Sequence, residues 1–186
     1  MATQRQQEEF VAFRESCIWL RSCYNTFNYL FDSGQETEAI LRRVAPQFFG
    51  DLNSILQEYF FLQARRVTDP IATGSRENLT LQNVNSGLMA AGLTTREISD
   101  LSASILGYRD LISDISNRVV AHADKVTALT LGLVGAHSER ELVSFMDNLQ
   151  AYTDAVGIAL GVGPLDYSAQ ARTGDVQDLL KALRRV

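Results

Sequence analysis

The run Ser116, Asn117, Arg118, Val119, Val120, Ala121, His122, Ala123, Asp124 sets a histidine beside an arginine, an amide and a carboxylate in a strongly helical stretch. Histidine titrates near neutrality and so moves protons there. Arginine presents a planar fork of donors that fits phosphate oxygens. Four residues apart, Arg118 and His122 are neighbours on one face of a helix. Such a pair suits proton transfer next to a stabilised anion. The plainer reading stands beside it: a histidine that completes an apolar seam also serves as a hydrogen-bonded helix-end residue, and Arg118 between Asp114 and Asp124 suits surface ion pairs of little energetic weight.

Other chemistries find less support. The two histidines, His122 and His137, have no partner at metal-ligand spacing, so no metal and no cofactor is expected. The glycines at 132, 135, 161 and 163 lack a preceding strand and a GK[ST] sequence, and read as turns and helix stops. Cys17 and Cys23 are six residues apart on one helix, a rise of about 9 Å with the side chains on opposing faces, beyond disulfide reach. They read as reduced core thiols.

With 186 residues, 46% hydrophobic and 21% charged, the chain can bury a sizeable core as one domain spanning 1–186. Its core is expected over about 8–162, with a C-terminal extension at 163–186 that carries a short helix. A formal net charge of −5 argues against coating extended DNA, which needs a basic face. The polar start, Met1 to Phe10, lacks the pattern of a secretion signal. The apolar runs 126–136 and 155–165 are too short to span a bilayer, so a cytoplasmic protein without membrane contact is expected.

The scaffold reads as helical throughout. Phe10, Phe13, Cys17, Leu20, Tyr24, Phe27 and Phe31 recur in steps of three and four, a helical stripe that stops at Asp32-Ser33-Gly34. A short helix over about 36–43 leads to Pro46, which opens a second long helix whose stripe is Phe48, Leu52, Ile55, Tyr59 and Leu62. Phe49, Leu56 and Phe60 give that helix a second apolar face. Asp69-Pro70 ends it, 71–77 is loop, and Asn78 caps a short helix reaching Ala90. Thr94 with Glu97 forms a capping box for a helix whose seam is Ile98, Leu101, Ile105, Tyr108, Ile112, Ile115 and Val119. The next position in that rhythm is His122. Ser138 with Glu141 opens a further helix, buried along Leu142, Phe145, Leu149, Tyr152 and Val156, and a last short helix spans about 175–185. The fold class is all-α, an antiparallel bundle of four long helices plus short accessory ones.

Several stretches in order carry a resemblance: Trp19 to Asp32 with its YNTFNYLF core, Ala45 to Phe49, Arg66 to Pro70, Asn78 to Leu81, and Asn117 to Asp124. Over about 10–126 the chain resembles the AbiU-like branch of the HEPN superfamily; the part after Pro164 lies outside the resemblance. HEPN proteins are helical and usually dimeric, and many are metal-independent endoribonucleases of phage-defence and toxin-antitoxin systems. The resemblance implies a homodimer, an RNA substrate, and an antitoxin or nucleotidyltransferase as partner. It implies a site at the dimer interface, where the RNA 2′-hydroxyl attacks the neighbouring phosphate. His122 is then the proton-transfer residue, Arg118 the phosphate stabiliser and Asn117 the residue that orients one of them. The family's arginine falls at Ser116 in this chain, and Asp124, Arg66 and Arg109 are auxiliary candidates. The same substitution supports the alternative of a catalytically inactive HEPN-like dimeric scaffold or binding partner.

Overall fold

The computed structural model describes residues 2–73, 76–116, 138–168 and 173–185. These contain α1 (Gln4–Phe31), α2 (Gln35–Val44), α3 (Pro46–Thr68), α4 (Leu81–Ala91), α5 (Arg96–Ser116), α6 (Glu139–Leu160) and α7 (Val176–Leu183). The all-α class holds. A two-rung antiparallel pair, β1 (Ala72–Thr73) and β2 (Arg76–Glu77), replaces part of the expected loop at 71–77.

The four longest described helices pack side by side, α1 on α3, α3 on α5, α5 on α6 and α6 on α1. Named contacts give their directions. Gln7 near the start of α1 donates to the carbonyl of Leu160 at the end of α6, whereas Arg21 donates to Met146 near its start, so these two run antiparallel. Tyr108 late in α5 stacks on Phe145 early in α6, with ring centroids 4.3 Å apart. Trp19 meets Tyr59, and Leu30 shares a groove with Phe49, so α3 runs back along α1.

The expected stripe of α1 is buried from Phe10 through Leu20 and half-buried at Tyr24, Phe27 and Phe31. The helix starts earlier than its apolar rhythm, because Thr3 and Gln6 form a capping box ahead of Phe10. Cys17 and Cys23 are buried free thiols, and burial pushes Cys23 up to about 11 and Cys17 further still.

Three expectations shift. On α3 the buried face is Phe49, Phe60, Phe61, Ala64 and Val67, while Phe48, Ile55 and Leu62 point outward. The two apolar faces lie one residue apart, and only the packing of α1 and α5 selects between them. Asn78 does not cap α4. Its backbone N–H donates to Ile71 and its side chain to Pro70, which closes the small hairpin, and Thr80 is the cap. On α5 the cap is Thr95 rather than Thr94: Thr95 Oγ1 accepts from the N–H of Ile98 at 3.2 Å, and its carbonyl accepts from Ser99. Glu97 then lies in the first turn, where its charge favours the helix dipole. Thr95→Ala is expected to cost about 1 kcal/mol and Thr94→Ala close to nothing, read as the shift in urea midpoint.

The C-terminal extension packs on its own bundle. After Gly161, in left-handed geometry at φ 72°, the chain folds back as a strap along α1 and α6. Leu165 N–H donates to Asp154, Tyr167 N–H to Gln150, and Asn25 to the Ser168 carbonyl. Tyr167 is buried, its hydroxyl 3.0 Å from that of Thr153. Leu180 of α7 joins Leu30, Leu41 and Phe49 in a second, smaller core.

Candidate functional site

The helix that leads to His122 has the expected seam as far as it is described. Ile98, Ile105, Tyr108 and Ile112 are buried, and Leu101 packs partly against the same core. Asn117, Arg118, His122 and Asp124 lie outside the described residues, as do the side chains of Ile115 and Ser116. His137 is also outside them.

The two described arginines among the candidates sit far apart. Arg109 is half-buried on α5, about two turns before Ser116. Arg66 is exposed in the last turn of α3. By the pairings given above, that turn lies where α5 begins and α6 ends, at the far end of the bundle from Ser116. The described scaffold thus does not bring Arg66 together with Arg109 or with the end of α5.

The second half of α5, as far as Leu111, and the start of α6 border one open cleft of about 520 Å³. Ser104, Gly107 and Leu111 line one side, and Arg140, Ser144 and Asn148 the other. At its floor Tyr108 stacks on Phe145, 20° from parallel. Burial, then the neighbouring Glu141 carboxylate, then Tyr24, push the Tyr108 hydroxyl upward, so it remains a protonated donor at neutral pH. Glu141 is fixed by the expected capping box, accepting from the Ser138 N–H at 2.6 Å. Arg21, almost fully buried, extends Nη2 to the Met146 carbonyl at 2.7 Å and to Asp147 at 3.6 Å, with its guanidinium 5.7 Å from the Tyr24 ring centroid.

Sequence reading placed Tyr24 only in the apolar stripe of α1 and did not single out Arg21 or Arg140. A buried arginine leaves no mark in an apolar rhythm, and the approach of Tyr24 to Tyr108 joins residues of different helices. Arg140 alone had a local signal, being next to Glu141 of a recognisable capping box. The cleft carries a protonated phenol, a carboxylate and one cation, Arg140, while Arg21 is buried on the Met146 carbonyl and Asp147. Such a set can hold an anion and supply hydrogen bonds to it.

The AbiU2 family model, HEPN_AbiU2, matches residues 4–179. The chain belongs to the HEPN AbiU2 family. No curated protein and no solved structure matches the chain. The AbiU2 match is wider than the resemblance over 10–126. It takes in α6, the strap and the first residues of α7, so the segment after Pro164 belongs to the matched unit as far as Leu179. Among the described residues of this AbiU2 chain, no helix is long and apolar enough to cross a membrane.

Proposed function

We propose that this AbiU2 chain is an abortive-infection HEPN protein of the phage-defence or toxin-antitoxin type that cleaves RNA without a metal at a site shared by two copies. His122 moves the proton, Arg118 stabilises the phosphate, and Asn117 orients one of them. Asp124 and Ser116 flank this set, and Arg109 is a nearer auxiliary cation than Arg66. One observation carries the reading: the seam Ile98, Ile105, Tyr108 and Ile112 is buried within a family-matched chain, and the sequence spacing continues that rhythm to His122. In the reaction the 2′-hydroxyl loses its proton and its oxygen bonds to phosphorus. The bond to the 5′-oxygen breaks and that oxygen takes up a proton, leaving a 2′,3′-cyclic phosphate and a 5′-hydroxyl.

The expected result is cleavage of single-stranded RNA by the purified chain in EDTA, with cyclic phosphate at the new 3′ ends. No cleavage under any condition would favour the second reading, a catalytically silent dimeric scaffold, for which Ser116 at the place of the family arginine speaks. In either reading the protein is cytoplasmic, and its partner is an antitoxin or a nucleotidyltransferase.

A further inference from the structure

Two rows of residues face each other across the cleft between α5 and α6. Ser104, Gly107 and Leu111 stand one turn apart on α5, and Arg140, Ser144 and Asn148 one turn apart on α6. The α5 row is nearly bare. An added Cβ at Gly107 would meet no atom within 4 Å beyond its own helix turn, and Leu111 is 45% exposed. Glycine in mid-helix weakens the helix relative to alanine, a loss usually offset by close packing against a neighbour. Among the described residues nothing packs there, so the bare backbone lies open to a ligand. The α6 row is polar. Arg140 enters no ion pair among the described residues, and beyond it stand the Ser144 hydroxyl and the Asn148 amide, which donates to Ser144 Oγ at 3.5 Å. Because Tyr108 stacks on Phe145 and the two helices are antiparallel, Arg140 lies toward Leu111 and Asn148 toward Ser104.

We infer that this cleft seats one nucleotide of an RNA strand, with its phosphodiester on Arg140, its base on the shelf of Gly107 and Leu111, and its base edge on Asn148. The inference rests on the RNA reading given above and adds to it a binding site away from the reacting bond. Each wall matches one part of a nucleotide. A guanidinium fork pairs with phosphate oxygens. A flat base needs a flat bed, which helix backbone without a Cβ supplies next to one apolar side chain, and an amide offers the donor and acceptor with which side chains read base edges. The charge balance selects a diester. Glu141 lines the same cleft, held on the Ser138 N–H and hydroxyl, so one cation faces one carboxylate. Such a cleft takes the single negative charge of a diester better than the greater charge of a free nucleotide. Leu111 precedes Arg118 by seven residues, so the two lie within about 25 Å however the chain runs between them, a distance that a few nucleotides span.

The test is fluorescence anisotropy of the full chain with a short labelled single-stranded RNA of mixed sequence whose riboses are 2′-O-methylated, a probe that offers no 2′-hydroxyl for cleavage. The native chain is expected to bind it. Gly107→Leu, which fills the shelf, is expected to weaken binding about tenfold or more while melting no lower than the native chain, because leucine favours a helix and meets open space. Gly107→Ala is expected to bind nearly as the native chain does. Arg140→Gln is expected to weaken binding and to lower the slope of log affinity against log salt by about 0.7, the share of one phosphate on a single strand. Asn148→Ala is expected to even out the affinities for homopolymers of the four bases, which a role confined to folding would not do. Native-like binding by both Gly107→Leu and Arg140→Gln overturns the cleft, and cleavage of ordinary RNA by the native chain then stands on its own. A nucleoside monophosphate that binds as tightly as the strand overturns the diester seat. A native chain that binds in the expected way yet never cleaves RNA supports the cleft and removes the catalytic reading. A native chain that neither binds nor cleaves overturns both.

Discussion

His122→Ala is expected to abolish RNA cleavage, a loss on the order of 10²- to 10⁴-fold, while dichroism and melting stay near those of the native chain. The magnitude follows from what is removed. Attack by a 2′-hydroxyl at neutral pH needs a group that takes the proton as the oxygen bonds to phosphorus, and water is a poor substitute. Arg118→Ala is expected to cost a comparable factor if Arg118 is the proposed phosphate stabiliser, and Arg118→Lys to recover only part of it, because an ammonium lacks the bidentate fork. Cleavage retained in His122→Ala would sink the assignment whatever the arginine variants do. If the native chain is silent, Ser116→Arg becomes the informative variant. Activity appearing there would show that the scaffold is competent and that one side chain had been lost.

The seam of α5 as far as Ile112 was legible in the sequence, and what packs around it was not. Ile98, Ile105, Tyr108 and Ile112 repeat at helical spacing, so the burial of this face of α5 follows from local order alone. The stacking of Tyr108 on Phe145, the buried Arg21 and the placement of Arg140 depend on which helices become neighbours, and no local rhythm encodes that. The same limit explains α3. Its two apolar faces, through Phe48 and through Phe49, have nearly equal periodic strength, and burial went to the one that carries Ala64, small enough for close helix contact. At α5, two adjacent threonines each offered a cap. The acidic residue three positions on favoured Thr94, but the hydrogen bond from Ile98 shows that Thr95 closes the first turn.

The strap after α6 carries the largest expected effect on stability. Tyr167→Ala is expected to destabilise the fold by about 3–5 kcal/mol, the usual cost of removing a fully buried aromatic side chain, and so to lower Tm by roughly 10 °C in a domain of this size. Its ring is 2% exposed and belongs to the main core together with Cys17, Phe13 and Tyr152. Removing the hydroxyl alone is a smaller change. Thr153 Oγ1 keeps its own donor bond to the Gln150 carbonyl at 2.9 Å, so Tyr167→Phe is expected to cost about 1 kcal/mol. The ratio between the two variants distinguishes packing from hydrogen bonding as the cause. Gly157→Ala probes the same contact from the helix side, because an added Cβ would stand 3.0 Å from the Cα of Gly163, a backbone atom that cannot turn aside like a side chain. That overpacking is expected to cost about 1–3 kcal/mol. Thermal and urea unfolding of the three variants would check the set. A Tyr167→Ala protein as stable as the native one would mean that the strap merely lies on the surface of the bundle, against its burial and its bonds to Asp154, Gln150 and Asn25.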